Sequence, residues 1–219
     1  ENLRPFVESW YDRQAAVNSI LLGCSVGVAG TVLGFIFAFA VTRLSLPKWL
    51  CTAVSAVTLL PLISPPFTSS IALTLSLGPN GILLDFFGLG NFNFYGFWGT
   101  FISETLTFFP VAFMTLSTIL ARIDPNLEDA AYSLGASSFK VFRTVTLPLA
   151  APGIANASLL VFSCSLADFA TPQVLGGHSF PVLPTQAYLV ITGMYDFKGG
   201  AALSIMLLIP AIILSLIHI

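Results

Sequence analysis

Two carboxylate residues, Glu104 and Asp168, stand inside apolar stretches of the sequence. Ionisable residues within a membrane-spanning segment are costly and usually face the interior of a bundle or a water-filled path. Both are therefore candidates for contact with a cationic substrate on a transport pathway. Each also lies close to the predicted outer end of its segment, where a hydrogen bond to a loop or to solvent explains the acid equally well. The sequence leaves both interpretations open.

Other residues that could bind a metal or act as catalytic groups lack the neighbouring residues that a metal site or an active site needs. His178 and His218 have no second histidine or acid at ligand spacing, so we predict no metal site. No H-E-x-x-H or G-x-x-x-x-G-K-[ST] pattern occurs, and the G-x-S-x-G match from Gly23 to Gly27 lies inside an apolar run rather than at the strand-to-helix elbow of a hydrolase. Cys24, Cys51 and Cys164 are scattered singly, which predicts small buried side chains rather than ligands or disulfides. We expect neither an enzyme nor a cofactor bound by this chain.

The composition indicates a membrane protein. Of 219 residues, 56% are hydrophobic and only 8% are charged, whereas soluble domains carry roughly 25% charged residues. The formal net charge is −2 and there is no basic cluster, which argues against nucleic-acid binding. The chain begins without Met and ends in an apolar run, so we expect a single membrane domain, 1–219, truncated at both ends.

Five apolar runs have the length of about 20 residues that a helix needs to cross a bilayer. We therefore predict an all-α, polytopic membrane bundle in which polar connections separate the spans. The predicted spans are Val17 to Thr42, Leu50 to Leu77, Trp98 to Ala121, Gly153 to Thr171, and Ala201 to Ile219.

Small residues and prolines mark two of these spans. Glycines recur every three or four residues in the first span, which predicts a face that approaches another helix closely. These glycines are Gly23, Gly27, Gly30 and Gly34. Prolines in the second span predict a kink or a break. These prolines are Pro61, Pro65 and Pro66.

Basic residues predict the orientation of the bundle. Alternating spans place five of the eight basic residues on one side, which the positive-inside rule assigns to the cytoplasm. These five are Arg43, Lys48, Arg122, Lys140 and Arg143. The first sixteen residues and the segments 78–97 and 172–200 then face outward, and we predict compact loops there.

The cytoplasmic segment 122–152 reads as two short helices joined at Gly135. Asp124 is a predicted cap, followed by Pro125 and an apolar stripe. The stripe consists of Leu127, Ala130, Ala131 and Leu134. We expect Ser137 or Ser138 to cap the second helix, with Phe139, Phe142 and Val145 on one face, Lys140, Arg143 and Thr144 on another, and Pro148 at its end. Such a segment is either an ordinary connector or a projecting surface that binds a cytoplasmic partner.

The same segment resembles the signature of permease subunits of binding-protein-dependent ABC importers, EAA-x3-G-x9-I-x-L-P. The matching residues are Asp129-Ala130-Ala131, Gly135, Val145 and Leu147-Pro148. Asp129 replaces the signature Glu and Val145 the Ile, and the adjacent Glu128 is a second candidate for the acidic position. The stretches LLPLISPP, GPNGILLDFFGL, DFATPQVLGG and PVLPTQAYL are similar to the ferric-iron branch, which has thiamine, polyamine and phosphonate relatives.

The resemblance implies a type I importer in the bacterial inner membrane. Residues 122–152 would be its coupling loop, and a cytoplasmic ABC ATPase would bind ATP and Mg²⁺. A second permease half and an extracytoplasmic binding protein would complete the assembly, with one further helix upstream of this chain. The docking surface would comprise Leu127, Ala130, Ala131, Leu134 and Gly135. The charged residues that fix the orientation of the partner on it would be Glu128, Asp129, Lys140 and Arg143. An ion-coupled secondary transporter or channel shares the kinked spans and membrane acids, and a structural scaffold is a third alternative.

Overall fold

A computed structural model describes residues 10–65, 67–78, 81–87, 94–177 and 179–218, and this part of the chain is helical without strands. A π-helical turn, Phe142–Thr146, lies between two of the α-helices, directly after Val141 and directly before Leu147. The α-helices are α1 (Trp10–Arg43), α2 (Lys48–Ile63), α3 (Thr68–Leu77), α4 (Ile82–Phe87), α5 (Phe97–Arg122), α6 (Pro125–Ser133), α7 (Ser138–Val141), α8 (Leu147–Ala167), α9 (Ala170–Leu175), α10 (Leu183–Thr192) and α11 (Phe197–His218).

Three helical segments are long and apolar enough to cross a membrane. They are α1 with 34 residues, α5 with 26, and the continuous stretch Ser138–Ala167 with 30. The first and third predicted spans are thus confirmed, although α1 begins earlier than Val17. The fourth predicted span is wrong at both ends, because the helix begins before Gly153 and ends at Ala167. Asp168 then leaves the helical conformation, with φ −73° and ψ 123°.

The second predicted span is broken into α2 and α3, whose axes are bent by 98°. Pro65 stands in the break, as predicted, whereas Pro61 is accommodated within α2. Pro66 lies outside the described residues. Together α2 and α3 count as a fourth crossing only if the bent pair is one span. The fifth predicted span is represented by α11, whose apolar stretch Phe197–Ile213 is shorter than the three long segments.

The core lies where α1, α5 and α8 pack together, and the packing face of α1 consists of Gly23, Gly27, Gly30 and Gly34. An added Cβ at Gly30 would stand 3.1 Å from Val161 Cγ1, and one at Gly23 would stand 3.0 Å from the Phe162 ring. The predicted close approach is therefore confirmed. Around it, the largest buried cluster includes Leu22, Val26, Ala112, Phe113, Leu116, Leu120, Ala157 and Val161.

At the opposite end from Arg43, α1 is tied to the segment before α10. Asn18 Nδ2 donates to Pro181 O at 2.8 Å, and Leu183 N donates to Ser19 Oγ at 2.8 Å. The predicted outer segments 78–97 and 172–200 contain short helices as well as loops, namely α4, α10 and part of α9. The cysteines are free thiols, and Cys24 is exposed while the other two are half-buried, so the prediction of buried cysteines is wrong.

Candidate functional site

The candidate site is the elbow, residues 124–146, which comprises α6, the turn at Gly135, α7 and the π-helical turn. Its first arm begins as predicted. Asp124 Oδ1 accepts a hydrogen bond from Asn126 N at 3.0 Å, and Pro125 occupies the start of the helix. This cap satisfies one of the free N–H groups at the helix start. No residue of α6 is buried, so the arm lies on the surface of the chain.

The bend of the elbow is the predicted left-handed glycine. Gly135 has φ +80°, and no heavy atom lies within 4 Å of an added Cβ. Its N–H donates to Tyr132 O at 2.9 Å, and Ala136 N donates to Ala131 O at 3.1 Å. These bonds use carbonyls at the end of α6 that would otherwise lack partners. The local turn chemistry therefore determines the angle between the two arms.

The second arm differs from the prediction at both ends. Ser137 occupies the cap position without a side-chain hydrogen bond, and Ser138 is the first residue of α7. Pro148 does not end the helix but lies inside the continuous segment Ser138–Ala167, directly after the π-helical turn, where the regular α-helical hydrogen-bond ladder is already interrupted. The chain runs from α7 through the π-helical turn into α8 without interruption, so this arm is a direct extension of a membrane-length helix.

The elbow exposes apolar side chains. Leu127 is 49% exposed, Leu134 89% and Phe139 73%. Ala130 is exposed and Ala131 half-buried, so the predicted stripe faces outward from the bundle. Soluble surfaces seldom present such side chains together unless a partner covers them.

Phe142 leaves the predicted shared face with Phe139. Its ring centroid lies 6.2 Å from that of Phe35 and 5.5 Å from that of Phe39, both on α1. Val145 is half-buried, and Leu147 is 37% exposed. Lys140, Arg143 and Thr144 remain exposed. The second arm thus packs one aromatic ring on the bundle and leaves the other free.

Glu128 turns toward the bundle, whereas Asp129 is exposed. Glu128 Oε1 lies 3.5 Å from Arg43 Nε and accepts a hydrogen bond from Thr146 Oγ1 at 2.7 Å. The sequence analysis placed Glu128 beside Asp129 among the charged residues of the docking surface, and in the structure its carboxylate contacts Arg43 and Thr146 within the chain. Sequence reasoning used Arg43 only to predict the orientation of the bundle and did not identify Thr146. No local sequence pattern indicates that these two residues contact Glu128, since the contacts join segments that are distant in the chain.

The two membrane acids lie near each other, because Glu104 accepts from the side chain of Ser165 and the carbonyl of Ser165 accepts from Asp168 N at 3.2 Å. Glu104 is fully buried on α5 and accepts a hydrogen bond from Ser165 Oγ of α8, a partner that the sequence did not reveal. Asp168 is half-buried and caps α9, because its Oδ1 accepts from Ala170 N at 2.9 Å. Neither acid forms an ion pair within the described ranges. Glu104 Oε1 and Asp168 Oδ2 are buried without hydrogen-bond partners among those residues.

No group of three or more His, Cys, Asp and Glu side chains within the described part of the chain is arranged to hold a metal ion. His178 lies outside the described residues, and the side chain of His218 is likewise outside the description.

The family of binding-protein-dependent transport system inner membrane components matches residues 30–219. This chain belongs to that family. The permease chain is 38% identical over 207 residues to the ferric transport system permease protein FbpB of Actinobacillus pleuropneumoniae, covering 92% of this chain and 30% of that protein. It is 32% identical over 212 residues to the molybdenum transport system permease protein ModB of Haemophilus influenzae, covering 92% and 89% of the two chains. The permease chain thus spans about a third of the length of its ferric-type relatives.

Solved structures share the fold. A bacterial alginate ABC transporter in complex with its pentasaccharide-bound periplasmic protein has a chain of TM-score 0.80 and 17% identity, covering 100% of the permease chain and 80% of that chain. An inward-facing methionine ABC transporter, MetNI, has a chain of TM-score 0.74 and 18% identity, with coverages of 95% and 93%. The all-α membrane architecture is therefore that of importer permeases.

Proposed function

We propose that this chain is a membrane-spanning part of an ATP-driven importer and that its elbow docks on a cytoplasmic ABC ATPase. The observation that carries the proposal is the exposed apolar face of the elbow on an arm continuous with α8. A partner that covers Leu127, Leu134 and Phe139 would remove apolar surface from water. Movement of that partner would then act directly on a membrane helix.

The docking surface comprises the stripe and the glycine turn, flanked by charges that set its orientation. Asp129 supplies the acid and Lys140 and Arg143 the bases, while Glu128 belongs to a contact inside the chain. ATP and Mg²⁺ are bound by the ATPase, since this sequence has no phosphate-binding loop. The residues proposed to contact the ATPase are Leu127, Asp129, Ala130, Ala131, Leu134, Gly135, Phe139, Lys140 and Arg143. Val145, Leu147 and Pro148 continue the arm into the membrane.

We propose ferric iron as the substrate. Support comes from the relative named as a ferric transport permease, which is more similar in sequence than the relative named as a molybdenum transport permease. Thiamine, polyamine and phosphonate remain the less favoured alternatives. A second permease half and an extracytoplasmic binding protein complete the proposed assembly, which lies in the bacterial inner membrane.

Glu104 and Asp168 are proposed to face the pathway. Two neighbouring carboxyls without a basic partner among the described residues would suit a cationic substrate more than an anionic one. Asp168→Asn keeps an oxygen that can cap α9, so we expect reduced iron uptake without loss of folding. Unaltered uptake in this variant would remove Asp168 from the pathway.

The main experiment uses the full-length protein reconstituted with its ATPase and binding protein in proteoliposomes. We expect uptake of ferric iron to require ATP and to fail on an ion gradient alone. Uptake driven by the gradient without ATP would support a secondary transporter instead.

A charge-reversal pair then tests the docking surface. Asp129→Lys should abolish ATP-driven uptake, because it places a base at the acidic position of the surface. Lys48→Glu is the matched control, since it reverses an exposed charge at the same end of the bundle, outside the elbow. Equal uptake in both variants would contradict docking through the elbow.

A further inference from the structure

We propose that Arg43 is a positioning residue that links the elbow to two membrane helices, and that this link carries the movement of the elbow into the bundle. The inference rests on the proposed function, because it assumes that an ATPase moves the elbow. It assigns a role to a basic residue and to an acid that faces away from the docking surface.

Arg43 is the last residue of α1, and its guanidinium contacts the end of α5. Arg43 Nη2 donates to Leu120 O at 2.9 Å and to Ile123 O at 3.2 Å. Carbonyls in the last turn of a helix have no partner within that helix, and a cation there also opposes the negative end of the helix dipole. One side chain therefore fastens the ends of α1 and α5 to each other.

The same guanidinium reaches the elbow through Glu128. Arg43 Nε lies 3.5 Å from Glu128 Oε1, and the oxygen also accepts from Thr146 Oγ1 at 2.7 Å. Glu128 belongs to the first arm of the elbow and Thr146 to the π-helical turn that leads into α8. We call these three residues, Arg43, Glu128 and Thr146, the junction. It connects both arms of the elbow to α1 and α5.

Burial makes the junction stronger than a surface ion pair. The side chains of Arg43 and Glu128 are only 12% and 16% exposed, and Thr146 is buried. Exposed ion pairs contribute little because water screens them, whereas a partly buried pair is expensive to break because one charge is left uncompensated. The 3.5 Å contact is an ion pair and not a hydrogen bond, since Arg43 Nε has no hydrogen-bond partner among the described residues. A displacement of α6 therefore has to carry Arg43 along or separate a partly buried ion pair.

Stiffness is what a transmission contact requires. The first arm has no buried residue of its own, and its main contacts with the rest of the described chain are with α7 and the π-helical turn. Without the junction, a force on α6 could bend the arm about Gly135 instead of moving the membrane helices. With it, a movement of the elbow can shift the bundle between two conformations, open to the inside and open to the outside, because the same contact joins the elbow to α1 and α5.

The test uses the full-length protein with its ATPase and binding protein in proteoliposomes, in four variants. Arg43→Gln and Glu128→Gln each remove one charge, and the double variant removes both. Arg122→Gln is the matched control, an exposed arginine at the same end of α5 with no hydrogen bond or ion pair among the described contacts. Three quantities are measured: the amount of ATPase subunit that copurifies with the permease, the rate of ATP hydrolysis, and the iron taken up per ATP hydrolysed.

We expect uptake per ATP to fall about tenfold in both single variants, with retained ATPase and continuing hydrolysis. The double variant should be no worse than Arg43→Gln alone, because Glu128→Gln breaks a contact that the loss of Arg43 has already removed. Arg122→Gln should match the wild type. These readouts separate coupling from docking and from folding.

A double variant that recovers the wild-type ratio would overturn the proposal, because the junction would then matter only for avoiding an unpaired charge. Loss of the ATPase from Glu128→Gln would also overturn it, since Glu128 would then be a docking contact. If the wild type itself takes up no iron with ATP, the proposed function fails. The ATP hydrolysis that the binding protein stimulates can still be compared among the variants, and this comparison tests the junction without any substrate uptake.

Discussion

The packing face of α1 and the elbow both depend on glycine, and the surroundings of the glycines are opposite. At Gly34 an added Cβ would stand 2.7 Å from Ala112 Cβ and from Phe113 N, so the helices approach because no side chain intervenes. At Gly135 no atom lies within 4 Å of the same position, and the requirement is the backbone angle, φ +80°. The first glycine serves contact between helices and the second serves the shape of a turn.

This difference separates stability from transmission. A change on the packing face of α1 strains the core that α1, α5 and α8 share, and the whole bundle has to absorb it. A change at Gly135 alters a surface segment with no buried residue in its first arm. Substitutions in the two regions should therefore damage different measurable properties, and the following variants test that separation.

The largest effect is expected for Gly34→Leu. The new side chain has no space against Ala112 and the Phe113 backbone, and overpacking of a tight interface typically costs about 1–3 kcal/mol or more. We expect a lower thermal unfolding midpoint of the full-length protein in detergent, with poor yield of folded protein.

Val32→Leu is the control for Gly34→Leu. It enlarges a side chain on the same helix that is 55% exposed, so its midpoint should equal that of the wild type. Equal midpoints for the two variants would show that the packing face of α1 tolerates bulk and would remove the contrast with the elbow.

Local rules recovered much of both regions from sequence. The glycine spacing of α1 predicted its close approach, because small residues at intervals of three and four share a helix face. The cap at Asp124 and the turn at Gly135 followed from side-chain chemistry within a few residues. These features depend only on neighbours in the chain.

Three features were missed, and only the last of them depends on contacts between distant segments. Proline commonly ends a helix, whereas at Pro148 the helix continues from the π-helical turn into α8. Asp168 ends α8 because its carboxylate caps α9. The contact of Arg43 with Glu128 joins segments that are far apart in sequence, which no local pattern encodes.

Gly135→Pro should give the next largest effect and should change coupling rather than folding. Proline fixes φ near −65° and has no N–H, so it can neither adopt the angle of +80° nor donate to Tyr132 O. We expect loss of ATP-driven uptake in proteoliposomes while the unfolding midpoint of the membrane domain changes little. A midpoint as low as that of Gly34→Leu would show that the elbow is part of the folding core.

Gly177→Pro is the matched control for this variant. Gly177 also has a positive φ, +56°, with no atom within 4 Å of an added Cβ, and it lies outside the elbow. Similar backbone strain at Gly177 should leave the uptake per ATP hydrolysed unchanged. Equal uncoupling by both proline variants would attribute the effect to strain in any turn rather than to the elbow.

The smallest effect is expected for Leu134→Ser, which tests whether the elbow's exposed surface matters apart from its shape. Leu134 is 89% exposed, so the substitution removes almost no packing within the chain and should leave the unfolding midpoint unchanged. If the ATPase covers this side chain, its removal should weaken binding by about tenfold, the cost of losing one moderately important contact. Titration of the solubilised full-length protein with its ATPase measures the affinity, and Leu44→Ser, at a leucine that is 51% exposed outside the elbow, is the control. Weaker binding of Leu134→Ser alone would show that Gly135 is needed to present this apolar surface to the ATPase. Equal affinities of the two serine variants would show that the elbow acts through its backbone shape alone.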